Sequence, residues 1–255
     1  MTRSHTLVVD GVTLAYGDRV VAEGIDLAVP PGRITAIVGA NACGKSTLLR
    51  AMARLLPPRT GRIVLDGREL TGRTVKQVLD AGAGFVPEDR QHDGLVPEFT
   101  IAENLMLDRS DGEPFVRFGS LQLKHLAGFA EERLRRFDIR AQGIGTRVGR
   151  LSGGNQQKVV LARELSRTLR LFVAAQPTRG LDVGSIEFVH EQIVATRDAG
   201  VPVIVVSTEL DEGVALADRI AVMHRGRVVG VVPADTPRDV LGLMMAGEAP
   251  QAVAA

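Results

Sequence analysis

A glycine-rich segment at residues 39–46 constrains the fold of this 255-residue chain more than any other feature. The segment reads Gly-Ala-Asn-Ala-Cys-Gly-Lys-Ser and fits the pattern G-x-x-x-x-G-K-[ST] in full. The apolar run Ile34–Val38 before it predicts a buried strand, and apolar residues at helical spacing follow over Ser46–Leu56. A strand, a glycine loop and a helix in this order favour phosphate binding over a simple glycine turn, so we predict a nucleotide site.

Each part of this phosphate loop has a predicted chemical role. Successive backbone N–H groups can wrap phosphate oxygens at the start of the helix. Lys45 can neutralise the β- and γ-phosphates, Ser46 can ligate Mg²⁺, and Thr47 can contact the α-phosphate. The predicted nucleotide-binding residues of the loop are Gly39, Ala40, Asn41, Ala42, Cys43, Gly44, Lys45, Ser46 and Thr47.

The hydrophobic pattern elsewhere predicts an α/β fold. Alternating residues favour strands near the N-terminus, and short apolar runs separated by helical segments favour a mainly parallel sheet with right-handed crossovers. Helical signals dominate from about residue 100 to residue 167. We therefore predict a P-loop NTPase core of the RecA-like type, with an N-terminal antiparallel β subdomain and a helical insertion. The predicted limits are 1–247 for a single domain, about 96–167 for the insertion, and 248–255 for a frayed tail. The predicted strands cover 7–16, 25–29, 34–38, 61–66, 171–175, 203–206 and 219–223.

Composition and charge exclude several classes of protein. With 31 Lys plus Arg against 30 Asp plus Glu, the net charge of +1 offers no general attraction to nucleic acid, and we expect no nucleic-acid partner. The longest apolar stretch, 201–206, falls far below the roughly 18 residues of a membrane-spanning helix. The N-terminus lacks the apolar core of a signal peptide, and a single cysteine fits a reducing compartment. The five histidines show no spacing typical of a zinc site.

A second glycine motif lies about a hundred residues after the loop. The segment 151–157 reads Leu-Ser-Gly-Gly-Asn-Gln-Gln and opens a predicted helix, where a serine and backbone amides can bind an anion. With this motif the sequence resembles the ATP-binding cassette (ABC) transporter ATPases, whose signature is Leu-Ser-Gly-Gly-Gln. The resemblance extends from Tyr16 to about residue 246, with the motifs in the family's order.

The resemblance implies partners and further site residues. Cassettes of this family pair head to tail, so Ser152, Gly153 and Gly154 would contact the γ-phosphate of ATP held by a second cassette. Tyr16 would stack on adenine, and Asp182 lies in the segment that matches the D-loop at the seam between cassettes. Each residue also has a plainer interpretation, as a core tyrosine, a helix cap or a turn.

The family resemblance also implies a membrane partner, the ligands and a location in the cell. A separate transmembrane permease would be contacted through about residues 85–137, which include Glu88 in the Q-loop segment 85–90. The implied ligands are ATP and Mg²⁺, with Ser46 and Glu88 as metal-binding residues. The implied location is peripheral, on the cytoplasmic face of the cell membrane.

The chain departs from the family at the positions that serve hydrolysis. The strand that normally ends in Asp-Glu ends in Ala175-Gln176, Thr208 replaces the switch histidine, and Glu88 replaces the Q-loop glutamine. A glutamine can orient water but cannot accept its proton, and losing a positioned base typically costs roughly 10²–10⁴ in rate. The hypothesis is therefore a cassette that binds ATP better than it hydrolyses it. In the conservative alternative, Glu209 or Asp182 supplies the carboxylate.

Two subfamilies contribute to the resemblance. Residues 14–70 are similar to iron-siderophore importer cassettes, and residues from about 84 onward are similar to the second cassette of nucleoside and simple-sugar importers. Since the permease-contacting region lies in the second part, nucleoside or sugar import is favoured over siderophore import. Two other classes stay open: a regulatory cassette that binds nucleotide without turnover, and a soluble cassette that acts in translation or DNA repair.

Overall fold

The computed structural model of the protein describes residues 6–110 and 112–248. The strands are β1 (Leu7–Tyr16), β2 (Arg19–Val29), β3 (Ile34–Val38), β4 (Thr60–Leu65), β5 (Arg68–Glu69), β6 (Ala83–Val86), β7 (Val116–Arg117), β8 (Ser120–Leu121), β9 (Leu171–Ala175), β10 (Val203–Val206), β11 (Arg219–His224) and β12 (Arg227–Pro233). The α-helices are α1 (Lys45–Met52), α2 (Val75–Asp80), α3 (Ile101–Met106), α4 (Leu123–Arg136), α5 (Gly153–Glu164), α6 (Val183–Asp198), α7 (Leu210–Leu216) and α8 (Arg238–Ala246).

Contacts divide the described residues into two compact units. The first unit comprises 6–85, 169–176 and 190–248, and the second comprises 86–110, 112–168 and 177–189. Within the part of the chain that the structure describes, no helix is long and apolar enough to cross a membrane.

The first unit contains the predicted mainly parallel sheet. Its strand order is β12-β11-β3-β10-β9-β6, and β11, β3, β10 and β9 are parallel neighbours. Every residue of β3, β9 and β10 is buried, as expected for strands covered on both faces. The register pairs Ile37 with Val206 and Val206 with Ala175, so the carboxyl ends of the three strands lie at one edge of the sheet. Ligands of open α/β sheets bind at this edge.

The predicted antiparallel β layer is also present in the first unit, as a four-stranded sheet of order β2-β1-β4-β5. Alternate residues of β1 and β2 face the core, including Leu7, Leu14 and Ile25, which are fully buried. These side chains pack in one cluster with Leu48 and Met52 of α1. The antiparallel sheet thus supports the helix that follows the phosphate loop.

Helix α1 ends four residues before the predicted limit, at Met52 rather than Leu56. Arg54 adopts a left-handed conformation at φ 61°, and the backbone N–H of Leu55 donates to the Arg50 carbonyl. This is the closing pattern of a Schellman motif, formed here without glycine. Leu55 is consequently turned outward and is 66% exposed. The spacing of the apolar residues therefore predicted a helix that is four residues too long at its C-terminal end.

The second unit is built mainly of helices, with α3, α4 and α5 packed on one another. Phe115, Phe137 and Leu105 are fully buried. This region also contains a small β-hairpin, β7 with β8, which was not among the predicted strands of this mainly helical insertion. Phe118 and Gly119 form its turn with φ of 52° and 74°, the left-handed pair that short hairpins require. Because phenylalanine rarely adopts this conformation, the sequence signal for the turn was weak.

Candidate functional site

The phosphate loop of the first unit joins the carboxyl end of β3 to the start of α1. Gly44 has φ 105° and directly precedes α1, whose first residue is Lys45. A Cβ on Gly39 would lie 2.3 Å from the Met223 carbonyl oxygen and 2.7 Å from Cys43 Sγ. Only glycine fits there, because the loop backbone passes directly against β11. The Gly226 N–H donates to the Cys43 carbonyl at 2.9 Å and fixes the loop from the β11–β12 turn.

The ammonium group of Lys45 lies inside the loop. The residue is 6% exposed, and Nζ donates to the carbonyl oxygens of Gly39 at 2.6 Å and Ala40 at 3.0 Å, with Cys43 Sγ at 3.7 Å. Dipoles of the loop therefore solvate a buried cation, and the charge is placed where an anion entering the loop would meet it. Backbone amides at a helix start and a local cation together suit a phosphate group.

The remaining loop residues divide by exposure. Cys43 and Thr47 are buried, whereas Ala40, Asn41, Ala42 and Ser46 are exposed. Ala42 has φ 62°, a left-handed conformation that helps to curl the loop. Thus the residue proposed to bind Mg²⁺, Ser46, presents its side of the first helical turn to solvent.

Tyr16 lies at the end of β1 and is 44% exposed. Arg50 of α1 donates from Nη1 to the Tyr16 hydroxyl at 3.3 Å. The structure thus brings the predicted adenine-binding ring beside the helix that begins at the phosphate loop. An exposed aromatic face at this position can stack on a flat base.

Gln176 and Thr208 lie together at the carboxyl edge of the parallel sheet. Thr208 Oγ1 donates to Gln176 Oε1 at 3.3 Å, and the Gln176 N–H donates to the Val206 carbonyl at 2.6 Å. Gln176 has φ 44°, a left-handed conformation rare for a residue other than glycine, and such conformations cluster at functional sites. The methyl group of Ala175 ends β9 and cannot bind a metal. The described residues contain no group of three or more His, Cys, Asp or Glu side chains placed to hold a metal ion.

In the second unit, the signature segment forms the start of α5. The Ser152 hydroxyl accepts hydrogen bonds from Asn155, at 3.4 Å from the backbone N and 2.9 Å from Nδ2. Both glycines lie close to side chains of other segments. A Cβ on Gly153 would lie 2.5 Å from Arg90 Nη2, and one on Gly154 would lie 2.2 Å from Ser185 Oγ.

Asp182 and Glu88 also belong to the second unit. The Ser185 hydroxyl and backbone N–H donate to the Asp182 carboxylate at 2.8 and 3.0 Å, and these bonds hold the pKa of Asp182 below its ordinary value. Glu88 is in an ion pair with Arg179, with Oε1 3.4 Å from Nη1. Asp182 is therefore ionised at neutral pH and serves as a local hydrogen-bond acceptor.

Sequence reasoning missed Arg90, which connects two motif segments of the second unit. Its Nη1 donates to the Arg179 carbonyl at 2.9 Å, while Nη2 lies against Gly153. The Gln157 side chain makes a similar connection, because Nε2 donates to the Pro177 carbonyl at 2.8 Å. The only sequence signal for Arg90 was its place directly after Glu88-Asp89 in the Q-loop segment.

Comparison with known proteins gives one consistent result. The family described as ABC transporter matches residues 22–179. The nucleoside import ATP-binding protein NupA of Lactococcus lactis subsp. cremoris (strain MG1363) is 39% identical over 226 residues, which are 88% of this chain and 45% of that protein. The guanosine import ATP-binding protein NupO of Bacillus subtilis (strain 168) is 39% identical over 247 residues, 96% of this chain and 48% of that protein. The chain thus spans about half the length of these curated relatives.

Solved structures agree on the fold. A dimeric ATP-binding cassette bound to ADP and Pi superposes with a TM-score of 0.76 at 24% identity, covering 91% of this chain and all of that one. A nucleotide-free cassette of an ABC transporter gives a TM-score of 0.74 at 21% identity, covering 90% and 91% of the two chains. The predicted fold class is confirmed.

Proposed function

The chain belongs to the ABC transporter family, and we propose that it is the ATP-binding subunit of an importer, which pairs with a second cassette and acts on a separate membrane permease. One observation carries the proposal: a phosphate loop with the buried Lys45 ammonium at its centre precedes the Ser152–Gly154 signature in the same chain. Each motif alone is an anion site. Together and in this order they form the two halves of the ATP site that paired cassettes share.

ATP binding is assigned to the first unit and to the signature of a partner. Gly39 to Thr47 would hold the phosphates, with Lys45 turning from the loop carbonyls to the β- and γ-phosphates. Tyr16 would stack on adenine. In the partner's ATP site, Ser152, Gly153, Gly154 and Asp182 of this chain would lie near the γ-phosphate.

The side chains near the phosphate loop supply only some of the ligands that Mg²⁺ usually has in proteins. Mg²⁺ is usually held by one or two carboxylates together with substrate phosphates and water. In the first unit, Ser46 is exposed in the first turn of α1, but Ala175 supplies no carboxylate at the strand end. We infer that Mg²⁺ would enter with ATP and that Ser46 would hold it in the first unit, together with the phosphates and water. Glu88, the other ligand that the family resemblance implies, lies in the second unit.

We expect weak ATP hydrolysis because of the two side chains that follow β9 and β10, Gln176 and Thr208. The Gln176 amide can orient a water molecule but cannot take its proton, and Thr208 offers a hydroxyl in place of an imidazole. Their mutual hydrogen bond supports a role in holding water or phosphate rather than in proton transfer. The same residues favour one alternative function, a regulatory cassette that pairs on ATP without turnover.

Nucleoside or sugar import is the proposed process. The curated relatives include proteins named for the import of nucleosides, guanosine and ribose. Because the chain spans about half of each, the second cassette is proposed to come from another polypeptide or another part of a longer one. A partner that keeps its strand-end carboxylates would hydrolyse ATP while this chain supplies the signature. The proposed location is peripheral, on the cytoplasmic face of the membrane.

The proposal is tested by titrating the protein with ATP and recording the fluorescence of Tyr16, the single tyrosine of a chain without tryptophan. We expect a saturable change. Lys45→Ala should weaken ATP binding roughly tenfold to a hundredfold, since a hydrogen bond to a charged group contributes about 1.5–3 kcal/mol. The matched control is Lys76→Ala in α2, where the lysine pairs with Asp80. Equal affinity for both variants, or no ATP binding by the unaltered chain, would contradict the proposal.

A further inference from the structure

The side chain of Asn155, in the first turn of α5, connects two segments of the second unit. Its Oδ1 accepts a hydrogen bond from the Arg140 N–H at 2.8 Å, and its Nδ2 donates to the Ser152 hydroxyl at 2.9 Å. Asn155 stands where the family signature Leu-Ser-Gly-Gly-Gln has its glutamine, and its side chain is one methylene shorter. The chain therefore departs from the signature at a residue that contacts the signature serine.

The contacts of Asn155 determine which way its amide faces. A backbone N–H can only donate, so the atom of Asn155 that faces Arg140 is the carbonyl oxygen, and the NH₂ group faces Ser152. The segment that contains Arg140 is itself tied to α5. Lys158 donates from Nζ to the backbone carbonyl and to the carboxylate of Asp138, each at 2.9 Å. The Asn155 amide thus has one orientation, set by a backbone segment that α5 holds in place.

This orientation determines the direction of the Ser152 hydroxyl proton. A serine hydroxyl has one hydrogen to donate and two positions at which it accepts. The Ser152 oxygen accepts twice from Asn155, from Nδ2 and from the backbone N at 3.4 Å. Because both accepting positions face Asn155, the hydroxyl hydrogen points away from it. Ser152 is exposed, so the hydrogen can be donated to an acceptor outside this chain.

We propose that Asn155 is a positioning residue that orients the Ser152 hydroxyl as a donor to the γ-phosphate of ATP held by a second cassette. The inference rests on the proposed function, in which Ser152 lies near that phosphate. A donor that is already oriented loses little conformational freedom on binding, and its bond to a charged phosphate oxygen is stronger than a bond between neutral groups. Asn155 acts through Ser152 and makes no contact with the phosphate itself.

The orientation is tested first on the single chain by NMR of side-chain amides. The two Nδ2 protons of Asn155 are assigned by their disappearance in Asn155→Ala. In Ser152→Ala, one of them loses its acceptor, so its resonance should move upfield and its exchange with water should become faster. Asn155 resonances that are the same in Ser152→Ala and in the unaltered chain would overturn the proposal.

The consequence for ATP is tested by the pairing of two copies of the chain. Each copy has a phosphate loop and a signature, so a head-to-tail pair would contain two shared ATP sites. The dissociation constant of the pair is measured at saturating ATP by analytical ultracentrifugation. Asn155→Ala should raise it roughly fivefold to a hundredfold, since each of the two sites would lose the net contribution of a hydrogen bond. In the Ser152→Ala background, the same substitution should have no further effect.

The matched control is Gln122→Ala, which removes another side-chain amide of the second unit, one that donates to the Ser120 carbonyl at 3.0 Å. This variant should pair as the unaltered chain does. The proposal is wrong if Asn155→Ala pairs as tightly as the unaltered chain. It is also wrong if Asn155→Ala weakens pairing equally with and without the Ser152 hydroxyl, because Asn155 would then only support the local fold.

ATP titration separates a failure of this inference from a failure of the proposed function. All of these variants should change the fluorescence of Tyr16 with the ATP affinity of the unaltered chain, because ATP binding by a single chain is assigned to the first unit. Unaltered copies that bind ATP but do not pair would contradict the proposed pairing, and the role of Asn155 would fail with it. Unaltered copies that pair with ATP, while Asn155→Ala has no effect, would contradict the role of Asn155 alone.

Discussion

Two side chains at the carboxyl edge of the parallel sheet define the chemistry expected of the first unit. In the proposed function, the buried Lys45 ammonium binds phosphate, while Gln176 has an amide where the family resemblance implies a carboxylate. We therefore expect substitutions of single residues to change ATP binding and ATP hydrolysis separately. The separation can be tested in both directions, by removing the cation and by restoring the carboxylates.

Restoring the strand-end carboxylates should raise turnover. In the double variant Ala175→Asp/Gln176→Glu, the glutamate can act as a general base and the aspartate can bind Mg²⁺ through water. Because a positioned base contributes about 10²–10⁴ in rate, phosphate release should rise by about 10² or more. The control is Gln176→Ala, which should bind ATP and stay slow. A double variant that binds ATP but releases phosphate no faster than the unaltered chain would contradict the assigned roles.

Cys43 offers a second residue-scale test, since it is the single cysteine of the chain and lies inside the phosphate loop. Its Sγ is 3.7 Å from Lys45 Nζ, so phosphates bound in the loop would block access to the thiol. We expect saturating ATP to slow labelling by a maleimide several-fold. The protection should be absent in Lys45→Ala. Labelling of the unaltered chain at one rate with and without ATP would place the nucleotide elsewhere.

At the scale of elements, helix α3 depends on a capping box at its first turn. The Thr100 hydroxyl accepts from the Glu103 N–H at 3.2 Å, and Glu103 Oε2 accepts from the Thr100 N–H at 2.7 Å. Loss of such a cap typically costs about 1 kcal/mol. Thr100→Ala should therefore lower the melting temperature by about 2–4 °C. The control Thr168→Ala, at an exposed position outside helices and strands, should melt as the unaltered protein does.

The same capping box predicts a pH dependence. The N–H of Thr100, and then its hydroxyl, hold the pKa of Glu103 below the ordinary value of 4.5. A lowered pKa means that the folded state favours the carboxylate, so its stabilising effect is fully present above the ordinary value. The effect is lost as the pH falls through the lowered pKa. The difference in melting temperature between Glu103→Ala and the unaltered protein should be largest at pH 7 and should shrink as the pH falls below 4.5; a difference that does not change with pH would contradict the assignment.

Features that follow from a local residue pattern could be predicted from the sequence. Features that no residue pattern indicates, or that depend on contacts between distant segments, could not. The phosphate loop follows from glycine positions beside a buried strand, and β9 follows from its continuous apolar run. The early end of α1 depends on Arg54 in a left-handed conformation, which no residue pattern indicates. The contact of Arg90 with Gly153 joins segments far apart in sequence, so it became visible only in the structure.

At the scale of the whole molecule, the signature in the second unit matches the family more closely than the end of β9 in the first unit does. Leu151 to Gly154 in the second unit match the first four residues of the family signature, whereas the strand end in the first unit has Ala175-Gln176 where the family resemblance implies Asp-Glu. In the proposed function, the chain completes the ATP site of a partner cassette while its own ATP site hydrolyses ATP slowly. We therefore expect the fast step of the assembled transporter to take place on ATP bound to the partner cassette.

The most direct test is to measure ATP occupancy and phosphate release on one sample of the purified chain at saturating ATP. The unaltered chain should be nearly fully occupied and should release phosphate at about 10⁻² s⁻¹ or slower, since a typical enzyme rate is reduced by the missing base. Full occupancy with release at about one per second or faster would contradict the account, because Gln176 and Thr208 would then support the chemistry that their side chains should not perform.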